Sequence, residues 1–434
     1  MASGCCVKGV TQLKRDWVVL LLVFAPLTIA AQTSPGPAQS GLPSGPGWHQ
    51  LANTRMISVC LGDVPNGMYS DSRMTATTEY SFNCNQIVPW SGAAADDVHH
   101  RLIVWGGGQS DYAGNEVSVL NLDGTPSWER FTGPTMPIPA TNDGKAWEGL
   151  KPYFVDLKHG GQYQPGASPS SRHTYNSLQY VPYQNKMYSF GGSVANAGYF
   201  SQQTWTLDMG TKTWTMVGPP FSLAPWYPTS AYNLSNGHIV MHDKSWSLFD
   251  FDPHTNKWRT LTNAYHVDDG STAAIDPLNN LFVVVSSLGT YPSVKNHTLQ
   301  VFSLTAPYRM QTWNNAGCDL IYRNGGLAWD STLGLMVGYP GGGNQVYLLN
   351  TGPKDMVTSF GGVPSHKCLD VPISMKPSPL KGVDYPPDPE GTGRDNNGVF
   401  GRFAYFPSLD IFVLVNDRGR DAWILRLTGR SNAP

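Results

Sequence analysis

Six segments of this chain repeat one pattern: a strand of small or aromatic residues, a turn rich in Asp, Pro or Asn, then a strongly apolar strand. They are AAADDVHHRLIVWGGG from Ala93, LQYVPYQNKMYSFGGS from Leu178, AYNLSNGHIVMHD from Ala231, AAIDPLNNLFVVVSS from Ala273, LAWDSTLGLMVGYPGG from Leu327 and AYFPSLDIFVLVND from Ala404. Each reads as a β-hairpin whose second strand, apolar almost throughout, is buried on both faces. A third strand follows each hairpin, beginning at Glu116, Thr204, Ser245, Leu299, Gln345 and Ala422. A fourth carries tryptophan in several copies: Trp128, Trp214, Trp258 and Trp313. Four antiparallel strands repeated six times predict an all-β fold, a six-bladed β-propeller, and the shortest spacing between first strands is 42 residues, from Ser230 to Thr272. A seventh blade inside a long insertion is the alternative.

The sixth repeat ends after AWILRLTG, with no room for a fourth strand before Pro434. GWHQLANTRM, from Gly47, has the character of an orphan fourth strand. The N-terminal strand is therefore expected to complete the last blade and remove the open sheet edge. Three connections between a fourth strand and the next first strand are long: 56–90, 132–171 and 354–397. Equivalent positions in the repeat place all three on one face, where long loops form lids or binding loops.

At this point the chain resembles the kelch family, in which galactose-oxidase-like propellers are also found. The resemblance rests on the double glycine after the second strand, Gly107–Gly108 and Gly191–Gly192, and on Trp214 and Trp258 one turn beyond the third strand. It runs from about Trp48 to the end. In three repeats His242–Asp243, Ser286–Ser287 and Asn416–Asp417 replace the glycines. A copper radical oxidase of this type would need a Cys joined to a Tyr and two His ligands. The His pattern is absent apart from His99–His100, which falls in a hairpin turn on the opposite face. A bacterial sialic-acid epimerase shares the fold, but no motif here carries that activity. No cofactor and no metal site are expected.

The first 31 residues read as a signal peptide. Lys8, Lys14 and Arg15 precede the apolar run Trp17–Ile29, and Ala30 and Ala31 offer a cleavage site. That run is shorter than the roughly 20 residues of a membrane-spanning helix. An uncleaved anchor is the alternative. Residues 32–46 form a Pro/Gly/Ser leader, and 47–434 a single propeller domain. The protein is thus expected to be secreted, in an extracellular or periplasmic setting. Cys60, Cys84, Cys318 and Cys368 remain after cleavage, and Cys60–Cys84 with Cys318–Cys368 is one of three possible connectivities. Asn233 and Asn296 match the glycosylation pattern.

A formal net charge of −2 argues against a nucleic-acid partner. No Gly-x-Ser-x-Gly elbow, phosphate loop or His-Glu-x-x-His motif is present. Candidate ligand-binding residues are therefore taken from the upper ends of the first strands, which line the channel. They are Arg172, Arg323 and Arg402, joined by Asp111, Tyr112 and Asn115 from the glycine-rich loop and by Trp226 and Tyr227. Arginine forks suit a carboxylate or sulfate, and the aromatics would stack on sugar rings. Alternatively, the arginines pair with neighbouring carboxylates and serve packing alone. His173 and Tyr175 are the candidates for acid–base chemistry. The leading expectation is a monomeric propeller binding a carbohydrate or protein through its loop-decorated face. The alternatives are a lyase or epimerase acting on acidic glycans and a purely structural interaction module.

Overall fold

A computed structural model describes residues 41–60, 87–107, 115–133, 168–169, 171–194, 200–218, 225, 227–243, 246–265, 267, 270–285, 298–314, 325–341, 343–352, 368–372 and 398–428. These form six four-stranded antiparallel sheets whose first strands contact one another in sequence and close from the sixth back to the first. The fold is a six-bladed β-propeller.

In chain order the first strands are Ala93–Asp96, Leu178–Val181, Thr229–Asn233, Thr272–Asp276, Gly326–Asp330 and Phe403–Phe406. The last blade is completed by Gly47–Arg55, which pairs antiparallel with Asp421–Arg426 in the register Trp48↔Leu425 and His49↔Ile424. A register shift between Gln50 and Arg55 is bridged by the Asp421 carboxylate, which accepts the Thr54 N–H at 2.9 Å and the Gln50 amide at 3.3 Å. Ring closure by the N-terminal strand is as the repeat count required.

The core is divided into six wedges, each built from the facing sides of two neighbouring blades. This explains the unbroken apolar second strands. In Leu281–Val285, Phe282 and Val284 pack towards blade three while Val283 and Val285 pack towards blade five. A strand buried on both faces cannot alternate polar with apolar.

Four fourth-strand tryptophans tie their blade to the one before it, whereas Trp313 of blade four packs against the wedge shared with blade five. Trp128 Nε1 donates to the Thr54 carbonyl at 2.8 Å, Trp258 Nε1 to Thr204 Oγ1 at 3.0 Å, and Trp48 Nε1 to the Asn344 carbonyl at 3.0 Å. Trp214 packs against Trp105 of blade one with centroids 4.9 Å apart and the rings tilted by 48°.

The first-to-second-strand turns share one conformation. The residue before each second strand is left-handed: His100, Asn185, Gly237, Asn280, Gly334 and Asp410 have φ between 48° and 77°. An acidic or amide side chain at the end of the first strand caps several of these turns. Asp276 Oδ1 accepts the Leu278 and Asn279 N–H groups at 2.8 and 3.1 Å, and Asp330 Oδ1 accepts those of Thr332 and Leu333 at 2.9 Å. Asn233 plays this part towards Ser235 and is buried, so the folded chain does not present that glycosylation acceptor.

One expectation is corrected. The stretch 354–397 is not a single connection, because Cys368–Pro372 within it pairs with Gln345–Leu349 as the fourth strand of blade five. The sequence CLDVP lacks the tryptophan that marks the other fourth strands, so the pattern passed over it. Cys368 accordingly stands on a strand.

Two outcomes are expected. Trp48→Ala removes a fully buried ring from the wedge between blades five and six and lowers stability by about 3–5 kcal/mol, measurable by denaturant unfolding. The phenols of Tyr180, Tyr188 and Tyr405 are raised, first by desolvation, which keeps them neutral in the fold. Their contribution is complete below the unfolded pKa of about 10 and is lost as pH rises through the folded values, so stability falls steadily above about pH 10. Tyrosinate absorbance followed alongside unfolding checks this.

Candidate functional site

Antiparallel order puts the fourth-to-first connections and the second-to-third loops on one face, the insertion face. First-to-second turns lie on the other, the hairpin face. At the insertion face each chain segment must turn sharply from the rim to the axis before its first strand begins. In four blades that turn is made by an aromatic residue in the left-handed region: Trp90 (φ 55°), Tyr175 (φ 48°), Tyr227 (φ 46°) and Phe400 (φ 49°). Bulky residues adopt this conformation rarely, at a cost of about 1–3 kcal/mol each, and such outliers cluster at functional sites.

The four rings converge on Tyr175, which lies 4.8 Å from Tyr227, 6.0 Å from Phe400 and 6.2 Å from Trp90 between centroids. His173 joins at 5.7 Å from Tyr175, its Nδ1 lying 3.4 Å from the Tyr175 hydroxyl. Phe200 extends the cluster from Tyr227 at 5.3 Å. Tyr175, Phe400 and His173 are buried, whereas Trp90, Tyr227 and Phe200 are half-buried and form the outer edge.

Backbone contacts between blades hold this geometry. The Tyr175 N–H donates to the Trp90 carbonyl at 2.8 Å, and the Ser230 N–H to the Asn176 carbonyl at 2.8 Å. Gly92 lies so close to the Tyr175 carbonyl that a Cβ would meet it at 2.3 Å, and Gly401 stands in the same relation to Ala93. Only glycine fits at these two positions.

The arginines are placed differently from the expectation that they face an anion. Arg402 is fully buried, donating from Nε to the Ser91 carbonyl at 2.8 Å and from its two terminal nitrogens to Val415 and Gly398 carbonyls. It thereby ties blade six to the approach to blade one. Arg172 is 1% exposed, donates to the Gly191 carbonyl at 3.1 Å and lies over the Trp105 ring at 5.7 Å. The described contacts of both forks are made with the ring itself. Charge count and position in the sequence could not reveal this, because backbone carbonyls leave no mark there.

Asn115 is also buried, its amide donating to the Pro169 carbonyl at 3.1 Å. Tyr227 is brought into the aromatic cluster. Asp111, Tyr112, Trp226, Arg323, Cys84 and Cys318 lie outside the described residues. Cys60 is disulfide-bonded, and which cysteine it pairs with remains an expectation. Trp90, Phe200 and Phe400 were missed by sequence reasoning, since only their backbone conformation distinguishes them from ordinary loop aromatics.

On the hairpin face, Ser408, His100 and Asp123 have the wiring of a nucleophile, base and acid. Ser408 Oγ lies 3.0 Å from His100 Nε2, and His100 Nδ1 lies 2.6 Å from Asp123 Oδ1. The environment works against nucleophilic chemistry. Ser408 Oγ also donates to Asp97 Oδ1 at 2.7 Å, and the same carboxylate takes the Ser408 N–H at 3.1 Å. A negative charge thus occupies the space where an oxyanion would need donors. These residues clamp blade six to blade one.

Arg402→Ala is expected to cost about 3 kcal/mol or more by orphaning buried carbonyls, and Arg402→Lys to recover little of it, since an ammonium cannot span the same acceptors. Chemical denaturation of both variants checks this. No known family model matches the chain, nor does any curated protein, so fold and site geometry carry the functional reading.

Proposed function

We propose that the protein is an exported, monomeric binding module of kelch-like type, with a carbohydrate as its ligand and the insertion face as its binding surface. The observation that carries this reading is the group of left-handed aromatics around Tyr175, whose half-buried outer edge of Trp90 and Tyr227 offers ring faces for sugars to stack on. The kelch-like assignment draws support from the second repeat. There Gly191 and Gly192 have φ of 57° and 90°, and a Cβ on Gly192 would meet the His173 carbonyl at 2.5 Å. The double glycine therefore has a steric reason. Export rests on the basic, apolar and small-residue order of the first 31 residues. Cys60–Cys84 and Cys318–Cys368 bridges would suit that compartment.

A neutral sugar fits better than an acidic one. The two described arginines expected to hold acid groups are buried against backbone carbonyls. A lyase acting on acidic glycans keeps its acid–base pair, with His173 and Tyr175 3.4 Å apart, but loses these two charge partners. A protein ligand or a purely structural role on the same face predicts no sugar binding at all.

A glycan array probed with the full secreted chain, followed by calorimetric titration of the best hit, tests the proposal. Trp90→Ala and Tyr227→Ala are expected to weaken binding about tenfold or more, as for anchor aromatics at an interface. Absence of any glycan hit, or unchanged affinity in both variants, overturns it.

A further inference from the structure

We infer that the central channel is a second binding site, opening on the hairpin face and taking an uncharged, mostly apolar small molecule that brings one hydrogen-bond donor to Asn176 Oδ1. The channel encloses about 490 Å³, within the usual size range of small-molecule sites. Its walls are the first strands of the blades, and they carry small residues where those strands approach the axis: Ala93, Ala94, Ala273, Ala274, Ala328 and Ala404. At the far end the chain of Tyr175 and Asn176 separates the channel from the aromatic cluster of the insertion face. The hairpin-face end is framed by turn residues, among them Asp97, Val98, Pro182, Leu234 and Pro277.

Several polar side chains of the lining are already engaged within the protein; Tyr232, Trp329 and Ser331 also line the channel. The Gln179 amide donates to the Ser230 carbonyl at 2.9 Å, and its Oε1 accepts the Tyr232 N–H at 3.1 Å. Ser230 Oγ donates to the Asn176 carbonyl at 2.8 Å. The Tyr180 and Tyr405 hydroxyls donate to Asn185 and Asp410 at 2.9 and 2.8 Å. Asp97, the one charged residue among the described lining, is engaged with Ser408.

Asn176 differs from these. It is 4% exposed, and its Nδ2 is held by Thr229 Oγ1 and by the Ser230 and Ala273 carbonyls at 3.1–3.2 Å. Those acceptors fix the orientation of the amide. Among the described residues no donor reaches its Oδ1, an acceptor on a residue that lines the channel. An acceptor open to a mostly apolar channel is well placed to take a ligand donor, while a charged group would lose hydration with no partner.

The mouth is apolar too. Val98 and Leu234, both lining residues, are 61% and 65% exposed, and Leu278 beside Pro277 is 72% exposed. They make a greasy threshold for such a ligand.

The test uses the full secreted chain and N-phenyl-1-naphthylamine, an uncharged aromatic amine with one N–H whose fluorescence rises in apolar surroundings. One saturable site is expected, with affinity about tenfold weaker for the N-methylated probe, which lacks the donor, and for the anionic anilinonaphthalene sulfonate. Ala328→Phe, which fills the half-buried channel wall, is expected to abolish the signal while leaving thermal unfolding cooperative. Leu234→Ser with Leu278→Ser is expected to leave the affinity within about twofold. No saturable binding, equal binding of all three probes, or loss of binding in the mouth variant with retention in Ala328→Phe overturns the inference. The last pattern means adsorption to the hairpin-face surface, as a protein-docking patch would show. A failed glycan screen does not bear on this result, because the two sites lie at opposite ends of the axis.

Discussion

Side-to-side burial between neighbouring blades is the constraint on which this structure depends. A four-stranded sheet of this size has two apolar faces and no way to cover either alone. Each of the six wedges of core belongs to two blades at once. An open arc would leave two faces wet and two sheet edges unpaired. Closure by Gly47–Arg55 onto Asp421–Arg426 removes both liabilities, and it joins parts of the chain more than 360 residues apart. The tryptophan staples follow the same logic. Each reaches backwards to the preceding blade, so Trp48 on the closing strand treats blade five as Trp128 treats blade six.

Convergence on the axis then sets the chemistry of the centre. Six first strands brought together admit little besides small side chains, which accounts for the alanines. At the insertion end the same crowding forces sharp turns, and four of these are made by aromatics in a conformation they ordinarily avoid. The strain is sustained by inter-blade backbone bonds and by glycine at 92 and 401. The outcome is a channel with unlike ends. One carries the cluster of aromatic rings, and the other opens through an apolar rim.

The repeat, the blade count and the closing strand were legible because they follow from periodicity, and burial on both faces writes itself as unbroken apolar runs. The fourth strand of blade five was not, since Cys368–Pro372 lacks the tryptophan that marked its counterparts. Tyr227 was found as an aromatic near a strand start. Trp90 and Phe400, equivalent in conformation, were not. Arg172 and Arg402 were found as residues, and of the two readings given to them their burial favours packing. Their described hydrogen-bond partners are carbonyls, which every residue carries and no sequence pattern distinguishes.

Composition and repetition determined by themselves that this chain builds a closed ring of β-sheets, because hydrophobic patterning is a local property that survives in one dimension. Tertiary structure alone decided which polar groups are free to act. Ser408 and His100 stand 308 positions apart in the chain yet lie 3.0 Å apart in space, and whether that contact is a nucleophile or a clamp depends on a third residue, Asp97, from the same turn as His100. Asn176 reads in sequence as an ordinary turn residue. Only the closed ring engages its amide nitrogen with blades three and four and sets the residue in the channel wall.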